Sequence, residues 1–312
     1  MQNFTLKTCT LLICLLLWAC QKTEPKAIDT TSLSALQSLS NNQPDKPRYS
    51  KQSLSRVREM ALKEMALSLG AQASLAKRAD EINDALSNEA RTLDTVFNFN
   101  ALLLEHNVLP PVLLEGRNTL NLADMQNIRI SDRTYKVFKQ AQFVTTPPNW
   151  RQYLWMDYKK PDVPNVTILP KTPLEKDVWR KYLQKGWDNG LTQANTILED
   201  NLSRIKEDFN GMILYRKLLA MNMVSAHFVS NTELGVTGDG SEIHIDDRVL
   251  RITALPSLNT DASAWRAAVT KDRAYLNELN TLSKIANQTT ISVVAPTYHP
   301  AIEQIEERKE NP

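Results

Sequence analysis

Cysteine is almost absent from this sequence of 312 residues, and all three cysteines lie within the first twenty. No cysteine follows Cys20, so a mature chain starting there can form neither an intrachain disulfide nor a zinc site of paired cysteines. The four histidines are scattered and include no His-Glu-x-x-His spacing. We therefore expect no structural zinc, and stability has to come from packing.

An excess of charge of one sign is also missing. Without residues 1–19 the chain carries 36 Lys and Arg against 35 Asp and Glu, because Lys7 is the one charged residue in that segment. No dense cluster of Lys and Arg occurs elsewhere. Proteins that hold phosphate backbones need a strongly cationic surface. We therefore do not expect direct binding to nucleic acid.

The sequence has no complete catalytic motif. Ser241 lies near His244 but outside a Gly-x-Ser-x-Gly turn, and the glycines at 235, 238 and 240 precede a strand pattern without the lysine of a phosphate loop. Closely spaced oxygen ligands suit calcium, yet Asp-Gly turns explain the same residues without an ion. The residues considered for calcium are Asp239, Glu242, Asp246 and Asp247. The chain is predicted not to be an enzyme and to need no metal or other cofactor.

The N-terminal segment is informative because of what it contains. Lys7 precedes an apolar run over residues 8–19 that is too short to span a bilayer, and Leu17-Trp18-Ala19-Cys20 ends it. This order is typical of a lipoprotein signal peptide over residues 1–19. Cys20 is then the lipidation site, and two lipid groups on one residue satisfy the requirement for stable anchoring. A cleaved signal for soluble secretion and an uncleaved anchor are the alternatives.

Two residues beside Cys20 refine this prediction. Trp18 occupies a position where lipoprotein signals usually have a small or aliphatic side chain. Gln21 stands where an Asp commonly retains lipoproteins at the inner membrane. We therefore predict that the chain is lipid-anchored at the periplasmic face of the outer membrane.

Composition divides the rest of the chain. Residues 20–50 are polar, with prolines and scattered leucines, and are predicted to form a lipidated N-terminus and flexible linker. Residues 51–295 carry the periodic apolar patterns of a folded domain. Charged residues alternate without a core pattern over residues 296–312, which predicts a frayed C-terminal tail.

The folded domain is predicted to be α+β and predominantly α-helical, with long amphipathic helices and small β-hairpins. Apolar stripes at steps of three and four indicate a helix over about 53–91, with Gly70 the expected break, and a second from Thr172 that ends or kinks at Gly211. The stripe of the first helix suits a core face or a groove for a partner helix. Short strands are predicted on either side of a turn at 131–134, and a hairpin is expected to turn at 246–247.

Four uninterrupted stretches resemble a known family. They are LPPVLLEGRN at 109–118, ISDRTYKV at 130–137, WRQYLWMDY at 150–158 and GDGSEIHIDD at 238–247. The resemblance covers about 53–288 and is to the DotC family, outer-membrane lipoproteins of Dot/Icm (type IVB) secretion systems, and to the related TraI of IncI-type conjugation systems.

This resemblance implies a structural subunit of the outer-membrane core complex, without catalytic residues. The implied neighbours are a DotD-like lipoprotein and a DotH-like subunit. This chain and the DotD-like lipoprotein together help bring the DotH-like subunit to the outer membrane. Further copies of the chain are expected to form a ring with it. Two other functions stay open from the sequence, a lipid-anchored periplasmic peptidoglycan hydrolase and a lipoprotein that binds a small molecule.

Overall fold

The computed structural model describes residues 30–40, 54–122, 125–266 and 270–293. Residues 1–29, with the predicted signal peptide and Cys20, lie outside the described residues, as do 41–53 and the predicted tail at 296–312. The fold is α+β and mostly helical with small two-stranded sheets, as predicted. The chain divides into two compact units, and its two long helices contribute to both.

The first unit contains described residues 30–40, 54–74 and 159–190. It includes helix α1 (Leu33–Ser38), the beginning of helix α2 (Arg56–Asn88) and the beginning of the long helix that starts at Pro173. Leu36 and Leu39 are buried. Residues 33–38, which were predicted to belong to a flexible linker, are therefore helical and contribute apolar side chains to this unit.

The long helix α5 runs over Pro173–Ala220, after the shorter helices α3 (Ala90–Val96) and α4 (Trp150–Leu154). The helix begins next to Thr172, as predicted, and Thr172 caps it, because the Glu175 amide donates to Thr172 Oγ1 at 3.2 Å. The Glu175 carboxylate accepts from the Lys171 amide and also pairs with Arg58 Nε at 3.4 Å. The N-terminal end of α5 is thus held by local capping and by the contact with Arg58 of α2.

The predicted break at Gly70 is wrong, since α2 continues through it. A Cβ atom at Gly70 would overlap the carbonyl oxygen of Leu183, and one at Gly186 would overlap the carbonyl oxygen of Leu67. Gly190 lies equally close to Ala71. These glycines allow the backbones of α2 and α5 to approach each other within the first unit, which a side chain would prevent.

The second unit contains described residues 75–122, 125–158, 191–266 and 270–293. Its main core includes an aromatic group in which Phe209 meets Phe97 and Phe99 edge to face, at centroid distances of 5.7 Å and 5.2 Å. Helix α6 (Thr270–Gln288) packs onto this core through the buried residues Leu279 and Ala286. The core is built from elements distant in sequence, which fixes the end of α2 against the C-terminal half of α5.

Three small antiparallel sheets complete the second unit. Strands β1 (Val108–Leu109) and β4 (Gln142–Phe143) form a short ladder, β2 (Val112–Leu122) pairs with β3 (Ile128–Lys139), and β5 (Phe228–Gly238) pairs with β6 (Ile243–Ala254). We call the β2–β3 pair the first hairpin and the β5–β6 pair the second hairpin.

Both turns predicted from the sequence are wrong. Residues 131–134 lie inside β3, where Ser131 pairs with Thr119 and Thr134 with Gly116. Residues 246–247 lie inside β6, and the second hairpin reverses between Gly238 and Ile243 instead. Polar residues resemble a turn in sequence, but a strand exposed on both faces carries polar residues throughout.

Candidate interaction surfaces

The two hairpins start from one small apolar cluster in the second unit. Its buried members are Leu113 of the first hairpin, Tyr215 and Leu218 of α5, and Val224 just before the second hairpin. Tyr135, Val137 and Leu258 pack against it while half-buried. Both hairpins are therefore attached at their bases to the C-terminal end of α5.

Gly211 allows the base of the first hairpin to lie directly against α5. A stop at Gly211 is wrong, because α5 continues to Ala220. A Cβ atom at this position would overlap Val112 Cγ1 and would lie 2.9 Å from the Leu113 carbonyl oxygen. The absence of a side chain thus serves the contact between helix and strand.

A buried carboxylate fastens the other strand of the first hairpin. Asp208 on α5 is 2% exposed and accepts from Lys139 Nζ at 2.6 and 2.7 Å and from the Tyr153 hydroxyl at 2.8 Å. Lys139 is the last residue of β3, and Tyr153 lies on α4. Asp208 thus joins three elements, and these hydrogen bonds offset the cost of burying its charge.

These contacts change the titration of Tyr153. Burial, and next the hydrogen bond to Asp208, raise the pKa of Tyr153 well above its ordinary value of 10.0. The folded protein therefore keeps this proton at pH values where the unfolded chain loses it. Because the folded state then binds more protons, the free energy of unfolding falls as pH rises above about 10.

We expect Tyr153→Phe to lower the free energy of unfolding by about 1 kcal/mol at pH 8, from the lost hydrogen bond. The ring stacked on Phe99 is retained, which limits the change in packing. The difference from the parent protein should shrink above pH 10, because the variant lacks the proton that the folded parent keeps. Urea unfolding at pH 8 and pH 11 measures both values. A difference that is the same at both pH values would contradict this assignment.

The outer half of the first hairpin has one apolar face. Leu120 pairs with Ile130 and Leu122 with Ile128, so these four side chains project from the same side of the sheet. Each of them is more than half exposed. A contiguous exposed apolar surface of this kind is typical of a protein interaction site.

The second hairpin is exposed in the same way. Val236, Ile243 and Ile245 are each about two-thirds exposed or more, near the end farthest from α5. The register shifts between Gly235 and Thr237, opposite Asp246, whose φ of 58° is in the left-handed region. This irregularity interrupts regular pairing, and bulges of this kind reorient side chains at sheet edges.

Of the four residues considered for calcium, Asp239 and Glu242 lie in the turn of the second hairpin, and Asp246 and Asp247 lie inside β6. The Asp239 carboxylate accepts from the Ser241 amide at 2.7 Å, the Ser241 hydroxyl at 2.6 Å and the Glu242 amide at 3.1 Å. These hydrogen bonds, that of the Ser241 hydroxyl first, lower the pKa of Asp239. Asp247 accepts from the Thr237 hydroxyl. Among the described residues, no group of three or more His, Cys, Asp or Glu side chains is arranged to hold a metal ion.

The remaining features are the predicted lipidation site, the helices and one cleft. Cys20, the predicted lipidation site, lies outside the described residues. None of the helices within the described ranges is long and apolar enough to cross a bilayer. A cleft of about 330 Å³ lies beside Lys139, Tyr153 and Asp208, and these polar groups already bond one another. Asp208 could not be recognised from local sequence, because Lys139 and Tyr153 are far away along the chain.

This mostly helical chain with two exposed hairpins is similar to a known family of proteins. The family model described as type IV secretory system, conjugal DNA-protein transfer, matches residues 56–267. No individually curated protein matches the chain. The family match covers most of both long helices and both hairpins.

The protein is thus a type IV secretion or conjugation-related component. Because the match extends over about two-thirds of the chain, the chain belongs to the TraI family of these systems. The family-level part of the resemblance seen in the sequence is confirmed.

Proposed function

We propose that the chain is a non-enzymatic, DotC-like lipoprotein subunit of the outer-membrane core complex of a type IVB secretion system. The observation that carries the proposal is the family match over residues 56–267, which includes all four stretches that resemble DotC. The sequence ending at Cys20 adds the membrane anchor. No cofactor is required beyond the covalent lipid on Cys20.

In this proposal the subunit works by tethering and binding. Lipid on Cys20 holds one end at the periplasmic face of the outer membrane, and the folded part binds a DotD-like lipoprotein and a DotH-like subunit. Confinement at a membrane raises the effective concentration of the partners, so weak contacts become sufficient for assembly. Repeated copies form a ring that serves translocation of effectors or of DNA-protein complexes.

If Cys20 carries the lipid as proposed, the burial of Leu36 limits how far the first unit lies from the membrane. Leu36 is buried in the first unit, so at most sixteen residues separate the lipid from a fixed point on the fold. A fully extended chain of that length spans about 55 Å. The tether is therefore about half as long as the 20–50 segment would suggest, and the first unit has to lie within that distance of the outer membrane.

The central test is Cys20→Ser. The variant should fold as the parent does, because residue 20 precedes the described core, but it should leave the outer membrane fraction and fail to bring the DotH-like subunit there. Membrane fractionation with immunodetection of both proteins measures this, and mass spectrometry of the native N-terminus measures acylation. Cys14→Ser is the matched control, since it removes a cysteine from the same segment and keeps the acceptor.

Unchanged fractionation of the DotH-like subunit in Cys20→Ser cells would contradict tethering as the mechanism, and a native Cys20 without lipid would contradict the anchor itself. Zymography addresses the non-enzymatic part of the proposal. Clearing of peptidoglycan by the purified protein that is lost on substitution of one acidic residue would favour the hydrolase instead.

A further inference from the structure

Among the residues that the structure describes, no element covers the outer half of either hairpin. The first hairpin buries Val112 and Leu113 at its base, whereas Leu120, Leu122 and Met125 near its tip are more than half exposed. The two hairpins form separate sheets and are not hydrogen-bonded strand to strand with each other. An isolated two-stranded hairpin is marginally stable and has two free edges. The outer halves of the hairpins therefore present strand edges and exposed apolar side chains that suit a partner.

The hairpins have opposite charge. Over residues 112–139 there are five cations and three acids, and over residues 228–254 there are five acids and two cations. The cations of the first hairpin are Arg117, Arg129, Arg133, Lys136 and Lys139, and the acids of the second are Glu233, Asp239, Glu242, Asp246 and Asp247. Lys139 is already paired with Asp208, and Arg117 and Arg133 share the Glu115 carboxylate while staying largely exposed.

The positions of the arginines strengthen the positive charge of the first hairpin. Arg117 and Arg133 are register partners on β2 and β3, with side chains 73% and 66% exposed. Like charges directly opposite each other are unfavourable in a sheet, and the Glu115 carboxylate contacts Arg117 at 3.4 Å and Arg133 at 4.0 Å. An acidic partner would relieve this repulsion. On the second hairpin, the Glu242 side chain is 72% exposed.

We infer that the first hairpin of one copy of this chain binds the second hairpin of a neighbouring copy. Charge complementarity selects the second copy as the occupant, because every copy carries both the cationic and the acidic surface. The apolar face of Leu120, Leu122, Ile128 and Ile130 then meets the apolar end that includes Ile243 and Ile245. Such a contact is head to tail and generates a ring when its rotation closes. The inference deepens the proposed scaffold function and rests on it.

Mixed crosslinking in cells tests the inference on the full chain. Ile130→Cys and Ile245→Cys are placed in two separately tagged copies and expressed together, and the envelope is treated with a bismaleimide crosslinker. A crosslinked dimer that carries both tags is expected only when both substituted copies are present. This design excludes crosslinks within one chain, and lipidated Cys20 does not react through its thiol.

Charge reversal tests the electrostatic part. Arg117→Glu with Arg133→Glu should reduce the crosslink about tenfold or more, because two acidic surfaces then face each other. Glu233→Lys with Glu242→Lys should do the same, and all four changes together should restore the crosslink. Arg91→Glu with Lys185→Glu is the matched control, since both residues are exposed on helices outside the hairpins and should leave the crosslink unchanged.

Co-purification of the protein with the outer-membrane core from the same cells separates the two proposals. A chain that co-purifies but shows no crosslink between positions 130 and 245, or a crosslink only to a different protein, would overturn the hairpin contact and leave the scaffold function in place. Loss of the crosslink without recovery in the fourfold variant would likewise overturn it. A parent chain that does not co-purify with the core would overturn the scaffold function.

Discussion

Replacing Gly186 by Ala is expected to lower the free energy of unfolding by about 2 kcal/mol or more. Helix propensity alone favours Ala over Gly in a helix interior by about 1 kcal/mol. A gain in stability would therefore indicate that propensity dominates, and a loss would indicate that close helix packing dominates. At Gly186 an added Cβ overlaps the Leu67 carbonyl oxygen and lies 2.9 Å from the Leu67 Cα atom. Backbone atoms cannot rotate away, so α2 and α5 have to separate within the first unit.

That separation would also loosen the buried side chains around the glycine. Trp179, Leu183 and Trp187 are at most 5% exposed in the same unit. Overpacking of a tight contact typically costs about 1–3 kcal/mol, and here it has to exceed the propensity gain. Urea unfolding monitored by tryptophan fluorescence measures the change.

Gly240→Ala is the matched control for this prediction. Nothing lies within 4 Å of a Cβ atom at Gly240, and its φ is outside the left-handed range. We therefore expect a change below about 0.5 kcal/mol. Equal effects at both positions, or a stabilised Gly186→Ala protein, would show that the helices do not approach as closely as the structure has them.

Asp208→Ala is expected to lower the free energy of unfolding by about 2–3 kcal/mol. Removing one member of a buried ion pair leaves its partners unsatisfied and typically costs more than that. The Lys139 side chain is 48% exposed and can turn to water, which reduces the penalty. The Tyr153 hydroxyl loses its acceptor and the base of the first hairpin loses its fastening to α5.

Asp200→Ala is the control, because this carboxylate is exposed on the same helix. We expect a change below about 0.5 kcal/mol there. Hydrogen exchange gives a second measurement for Asp208→Ala, since the amides of β3 near Lys139 should exchange faster while those of α1 should not. Similar stability losses at positions 200 and 208 would contradict the fastening role of Asp208.

Much of the fold could be predicted because its causes are local. The apolar stripes of α2 and α5 recur at helical spacing, and the cap at Thr172 involves residues only three apart. The helical class and small hairpins follow from such patterns. The bounds of the strands were harder to predict from the sequence, because β3 and β6 are largely exposed and lack a regular apolar alternation.

The interaction surfaces could not be predicted from local pattern. Asp208 joins Lys139 and Tyr153 across 69 and 55 positions of sequence, and nothing near Asp208 indicates this. Gly70 and Gly211 appeared as helix breakers because glycine weakens an isolated helix, whereas both allow close backbone contact. A helix interior tolerates glycine when the packing it permits outweighs its poor propensity.

By itself, the sequence determined the helical class, the near neutrality and the relation to type IV secretion, since these depend on composition, periodicity and short matched stretches. Tertiary structure alone decided that two hairpins of opposite charge start from one cluster on α5, and that Leu36 is buried in the first unit. The physical reason is that burial and charge juxtaposition depend on which distant segments meet, and no local pattern encodes that.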